Sequence, residues 1–320
     1  MRTILPVFLL LLGFACTPNQ ESSTEEVPVE ASNQKNFQGF SLMGDSLFSS
    51  PPGEAVLARF EEKKAAYLAD PNNVDNLIWH GRFTAYIGNY QEAIQIYTDG
   101  IKQFPEDARL YRHRGHRHLT IRQYDEAVAD FEKAAELIAG TENEVEPDGM
   151  PNAQNIPVST LHGNIYYHLG LAYYLKQDME NALTAYQKCL ASSGNNDNLV
   201  SSTHWLYMIS RRLGREEEAK TYLDPINKDL DVIENAAYHT ACLFYKGALE
   251  EEALLNPDGD APANDAIAYA LANWSFYNDD LQTAKERYET MLSSSSWNSF
   301  GYLAAEADYY AHFVKGGTTQ

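Results

Sequence analysis

From residue 74 to residue 141 the apolar positions recur with a helical period, and turn residues interrupt them at even intervals. LIWHGRFTAYIG and the following NYQEAIQIYTDGIKQFP each gather their apolar residues on one side, which predicts two short amphipathic helices joined by a tight turn. The pair is then written again. Gly81, Tyr90, Ala93 and Tyr97 return as Gly115, Tyr124, Ala127 and Phe131, each 34 residues later. One such unit cannot bury its own apolar face, so a repeat of this kind predicts helix pairs stacked into a solenoid.

The small and aromatic residues at these offsets resemble those of the tetratricopeptide repeat family. That resemblance implies an all-α, right-handed helix-turn-helix superhelix, here an α-solenoid of about five repeats with end caps. Complete copies fall at 74–107 and 108–141. A third, at 163–196, is carried by Tyr166, Gly170, Tyr173, Ala182 and Tyr186. A fourth, at 200–233, keeps Gly214, Ala219 and Leu223, but Tyr207 stands where the first helix has its glycine, which predicts looser packing of its two helices. A fifth, at 265–298, has Ala272, Ala284 and Tyr288 in place. Residues 54–69 read as a helix of a degenerate first repeat, and WNSFGYLAAEADYYAHF as a closing helix. The acidic, turn-rich stretch 140–157 reads as an inserted loop; it accounts for the 55 residues between Gly115 and Gly170. The solenoid is expected over 53–315.

Composition adds a leader and a tether. Arg2 followed by ILPVFLLLLGFA has the form of a signal peptide, residues 1–15, and is too short to span a bilayer comfortably. The sequence Leu12-Gly13-Phe14-Ala15-Cys16 resembles a bacterial lipobox, apart from Gly13 where the pattern usually has leucine. The resemblance implies lipidation of Cys16 and a cell-envelope location, namely an outer membrane lipoprotein with its face unresolved. An ordinary secreted protein cleaved after Ala15 is the competing reading. Residues 16–52 then form a tether; Thr17–Gln34 has four glutamates and no lysine or arginine, too little apolar surface to offset its chain entropy.

The net charge of −21 argues against nucleic acid as a partner. Against that background ARLYRHRGHRHLTIRQY, residues 108–124, holds five arginines, three histidines and no acid. The family's geometry implies that helix A of each repeat lines a concave groove. The implied lining is Arg82 and Tyr86, then Arg109, Arg112 and His116, then Tyr167 and Tyr174, then His204 and Arg211. Such a groove would suit carboxylates and extended peptides. The alternative is that these arginines pair with nearby acids such as Glu92, Asp99, Asp125, Glu126 and Asp130. The family's carboxylate clamp is missing at the corresponding positions.

His113 and His116 lie one helical turn apart, but the arginines between and beside them repel a cation, so no metal and no cofactor is expected. Asp258, Asp260 and Asp265 lack the ligand spacing of a calcium loop. No motif for nucleophilic, metal or phosphate chemistry occurs, and the chain is not expected to be an enzyme. Cys189 and Cys242 are expected to be inert. The sequence therefore points to a membrane-tethered interaction scaffold that holds another envelope protein or a peptide tail. The alternative is a lipoprotein that binds a small molecule, glycan or peptide in nutrient uptake.

Overall fold

Capped helices and tight turns build the array. The computed structural model describes residues 36–259 and 261–315, so the signal peptide, Cys16 and the tether up to residue 35 lie outside the described residues. The five predicted repeats appear as helix pairs: α2 (Val74–Tyr86) with α3 (Tyr90–Gln103), α4 (Ala108–Thr120) with α5 (Tyr124–Leu137), α6 (Leu161–Leu175) with α7 (Met179–Ser192), α8 (Asn196–Arg212) with α9 (Glu216–Tyr222), and α11 (Asp265–Tyr277) with α12 (Leu281–Leu292). Helix α1 (Glu54–Ala69) precedes them and α10 (Ala236–Tyr245) separates the last two pairs. The first helix of every pair starts at a side-chain cap, supplied by Asn73, Asp107, Thr160, Asn195 and Asn264 in turn. Each cap accepts backbone N–H groups that the helix itself cannot satisfy. Among the described residues no helix is long and apolar enough to cross a membrane.

The glycine of the first helix faces the aromatic ring of the second. A Cβ built on Gly81 would lie 2.5 Å from the Tyr97 ring, and one on Gly170 would lie 2.6 Å from the ring of Tyr186. Repeat four reverses the arrangement. Tyr207 is buried and stacks outward on Tyr245 of α10, with ring centroids 4.6 Å apart, while Leu223 replaces the aromatic residue of the second helix. Helix α9 is correspondingly short, seven residues. The bulk has moved from inside the helix pair to the junction with the next helix.

The turn inside each pair has its own signature. Gly88, Arg122, Gln177, Gly214 and Asp279 occupy the same place in the five repeats, and all have positive φ, between 63° and 87°. Only glycine adopts this left-handed conformation without steric cost. Three repeats therefore place a strained residue there, and two of those put its side chain to structural use, as described below.

Two features depart from the sequence reading. Residues 36–49, expected as tether, form an antiparallel hairpin of β1 (Asn36–Phe40) and β2 (Ser46–Ser49) with an irregularity between Phe37 and Gly39. Gln38, at that irregularity, is buried; its Oε1 accepts the backbone N–H of Tyr90 at 2.7 Å and that of Gln91 at 3.3 Å. It thereby caps α3, whose own Asn89 makes no side-chain cap. The second departure is the closing helix α13 (Phe300–Tyr309). Besides covering α12, it packs on the first helices α6 and α11 and meets α4 and α8 through His116 and Arg212; its residues Gly301–Asp308 are all buried. Gly301 permits this docking, because a Cβ there would lie 2.4 Å from the backbone oxygen of Asp265.

Candidate functional site

Helix α13 occupies the side of the solenoid that the sequence reading assigned to an open groove. Two fully buried carboxylates hold it. Glu306 receives Arg122 Nη2 at 2.6 Å and Nε at 2.8 Å, and its other oxygen accepts the backbone N–H of Leu42 in the hairpin at 2.8 Å. Asp308 Oδ2 accepts Tyr269 OH at 2.7 Å and Arg212 Nη1 at 3.0 Å, with Tyr288 OH at 3.3 Å and Tyr174 OH at 3.4 Å; Gln177 Nε2 donates to Oδ1 at 3.0 Å. Burial by itself would push the Arg212 guanidinium down, but the Asp308 carboxylate beside it holds the guanidinium above its ordinary range. Arg122 and Gln177 are two of the left-handed turn residues, so the strained turns of repeats two and three deliver the side chains that pin α13.

The predicted lining residues divide accordingly. Tyr174 and His204 are 0% and 1% exposed, which corrects their assignment to an open groove. Tyr174 belongs to the Asp308 cluster, and His204 lies between Tyr238 and Tyr245 with ring centroids 4.7 and 5.8 Å away. Arg211 donates to Asn278 Oδ1 at 2.8 Å and lies over the Tyr277 ring at 4.7 Å, at the outer junction of α8 and α11. Arg109 pairs with Asp107 at 2.6 Å and Asp75 at 2.7 Å, near the start of its helix. The alternative reading of local pairing holds for Arg114, which pairs with Asp130 at 2.6 Å. For the other paired arginines of the cluster the partners differ from the acids considered in the sequence.

The inserted loop supplies one of those partners. Glu146, buried, lies 3.3 Å from Arg112 and 3.3 Å from His113. Burial would raise its carboxyl, but Arg112 and His113 hold it well below the usual carboxylate range. Burial, and then Arg112, push His113 down to about 3, so its ring is neutral. Arg82 donates to the Pro147 oxygen of the same loop at 2.8 Å and lies over the Trp79 ring at 4.4 Å; Tyr86 packs against Gly149. His116 stands against His168 and Phe300, with ring centroids at 4.5 and 5.3 Å, and Tyr167 faces the same phenylalanine at 6.2 Å. His113 and His116 thus serve different neighbours. Among the described residues no group of three metal-ligating side chains forms.

Arg82, Tyr86, His116 and Tyr167 are therefore partly exposed beside α13 and the inserted loop, whereas Arg112 is buried in its pair with Glu146, which corrects its assignment to an open groove. Arg117, which the repeat geometry did not select, joins them. It is partly buried, lies over the Tyr90 ring at 5.8 Å, and burial pushes it below its ordinary range. Among the described residues neither Arg82 nor Arg117 forms an ion pair, whereas Arg109, Arg112, Arg114 and Arg122 all do. Its place in the arginine-rich run was the available signal. Glu146, Glu306 and Asp308 had none, because their partners lie far away in sequence. Cys189 and Cys242 are free and buried, and burial pushes the Cys189 thiol up to about 11.

Comparison with known proteins agrees with the helix-pair geometry. The tetratricopeptide repeat family model matches residues 163–196, the third repeat. The small glutamine-rich tetratricopeptide repeat-containing protein 2 of Saccharomyces cerevisiae is 33% identical over 108 residues, 34% of this chain and 25% of that protein. The BBSome complex member BBS4 of Bos taurus is 25% identical over 168 residues, 51% of this chain and 27% of that protein. The chain spans about a quarter of the length of these curated relatives. A tetratricopeptide repeat protein from Parabacteroides merdae superimposes with a TM-score of 0.47 at 15% identity, covering 78% of this chain and 92% of that one. The fold is an all-α solenoid of tetratricopeptide-type helix pairs, to which a β-hairpin has been added.

Proposed function

We propose that the chain is a non-catalytic interaction scaffold that holds an acidic segment of a partner protein on the inner surface around Arg82 and Arg117. The observation that carries this reading is that Arg82 and Arg117 form no ion pair among the described residues, Glu146 and Asp148 acting on Arg82 only at longer range, in a chain whose formal charge is −21. A partly buried guanidinium is stabilised by an anion, and its planar fork suits a carboxylate. Tyr86 and Trp79, both partly exposed, provide flat apolar contacts for the rest of such a segment. The reading retains the bacterial envelope as the place of action, with a lipid on Cys16 as the tether to the outer membrane.

The test is co-purification from envelope extract with mass spectrometry, using the parent chain and the double variant Arg82→Glu and Arg117→Glu. Partners retained by the parent should be lost from the variant, and a Cys16→Ala form should leave the membrane fraction. An unchanged partner set in the double variant would overturn the groove reading. Melting curves of both forms check that the variant is folded.

A further inference from the structure

A second site lies away from Arg82 and Arg117. The first turns of α6, α8 and α10, the end of the inserted loop and Phe300 of α13 enclose a cavity of about 210 Å³. Its lining is rich in hydrogen-bond acceptors for which the described residues supply no donor. Asn164 gives its amide N–H to Glu146 at 2.7 Å, which leaves Oδ1 without a donor. Asn235 donates to the Asp197 backbone oxygen at 3.3 Å and its own Oδ1 caps nothing. Glu234 Oε1 takes Asn152 Nδ2 at 2.5 Å, and Oε2 takes none. His168 Nδ1 meets the Asn164 carbonyl at 2.6 Å. A carbonyl only accepts, so Nδ1 carries the proton and Nε2 of the neutral ring presents a lone pair. Burial, with Arg112 next, pushes this histidine down to about 3, which keeps it neutral.

Three neutral acceptors and one carboxylate, walled by the Phe300 and Tyr238 rings, call for a ligand group that only donates and carries positive charge. We propose that this cavity binds the primary ammonium group of a small polar ligand, with Glu234 as its counter-charge and Asn164, Asn235 and His168 as hydrogen-bond acceptors. An ammonium has three N–H donors, a good match to such a lining. The net charge of −21 favours accumulation of cations at the surface. An amino sugar and a peptide N-terminus share this chemistry. Neither Arg82 nor Arg117 lines this cavity, although Tyr167 of the neighbouring inner surface does.

Calorimetric titration of the full chain with matched probes tests the assignment. Glucosamine is compared with glucose, and triglycine with N-acetyltriglycine; within each pair only the first carries an ammonium. At least one amine should bind about 10-fold or more tightly than its neutral counterpart, and the pair that does so identifies the source. Glu234→Gln preserves the acceptor for Asn152 at an exposed position and should cost that amine about 10-fold, leaving the neutral probe unchanged. Absence of binding by both amines overturns the proposal. So does equal affinity for amine and neutral probe in both pairs, or an unchanged amine affinity in Glu234→Gln.

Discussion

Repeats two and four use the same 34-residue frame for different ends. In repeat two, Gly115 sits under the Phe131 ring, so the helix pair closes on itself; its turn residue Arg122 reaches across to Glu306 in α13. In repeat four, the turn is Gly214 and nothing reaches out from it; Tyr207 fills the glycine position and packs against α10. Repetition fixes the helix pairs, and the departures from repetition fix what each pair touches next. An irregular position in a solenoid therefore marks a contact beyond the repeat.

That contrast can be broken at the turn position. Arg122→Ala leaves the Glu306 carboxylate buried without its partner, and a loss of about 3–5 kcal/mol is expected in urea denaturation. Gly214→Ala, at the equivalent turn, should cost only about 1–2 kcal/mol, because it meets backbone strain alone. Equal losses at the two turns would mean that the ion pair contributes nothing to docking α13. The glycine position sharpens the comparison with a smaller effect. Gly115→Val pushes a side chain into the Phe131 ring and should cost about 1–3 kcal/mol. In repeat four, Tyr207→Phe removes only the hydroxyl that accepts from Arg211 at 3.2 Å, and should cost about 0.5–1.5 kcal/mol in the same measurement.

The smallest effect is a pH dependence common to both repeats. Burial, helped by Arg112, pushes His113 in repeat two down to about 3; burial alone does the same to His204 in repeat four. The unfolded chain takes up protons near pH 6.5 that the folded chain refuses. The stability these rings contribute is therefore complete above pH 6.5 and is lost as pH falls from there toward 3. Between pH 7 and 6 each should cost about 0.7 kcal/mol. His204→Phe should flatten the measured slope by that amount, and an unchanged slope would show that the ring titrates normally.

Much of the fold was legible because its signals are local. The helix period, the caps and the glycine–aromatic offset all act within one repeat, and they placed all five helix pairs and the inserted loop. The candidate surface was only half legible. Arg82, Tyr86, His116 and Tyr167 stay partly exposed, but Arg112, Tyr174 and His204, assigned to an open groove by repeat geometry alone, are buried. That geometry carries no information about what else fills the groove. Arg117 could have been singled out only by knowing which of its neighbours acquire acids.

The sequence by itself determined a stacked array of helix pairs, since the spacing of Gly81, Ala93 and Tyr97 leaves each pair one way to close and an apolar face to cover. Tertiary structure alone decided what covers the inner side. Arg122 and Glu306 are 184 residues apart, and Leu42 and Glu306 are 264 apart. No period relates them, and each gains its partner only when the hairpin and α13 have folded onto the array. The physical reason is that a buried charge is tolerated only where its partner is held in place. The positions of Glu306 and Asp308 are therefore a property of the assembled solenoid, whereas the helix pairs are a property of each repeat.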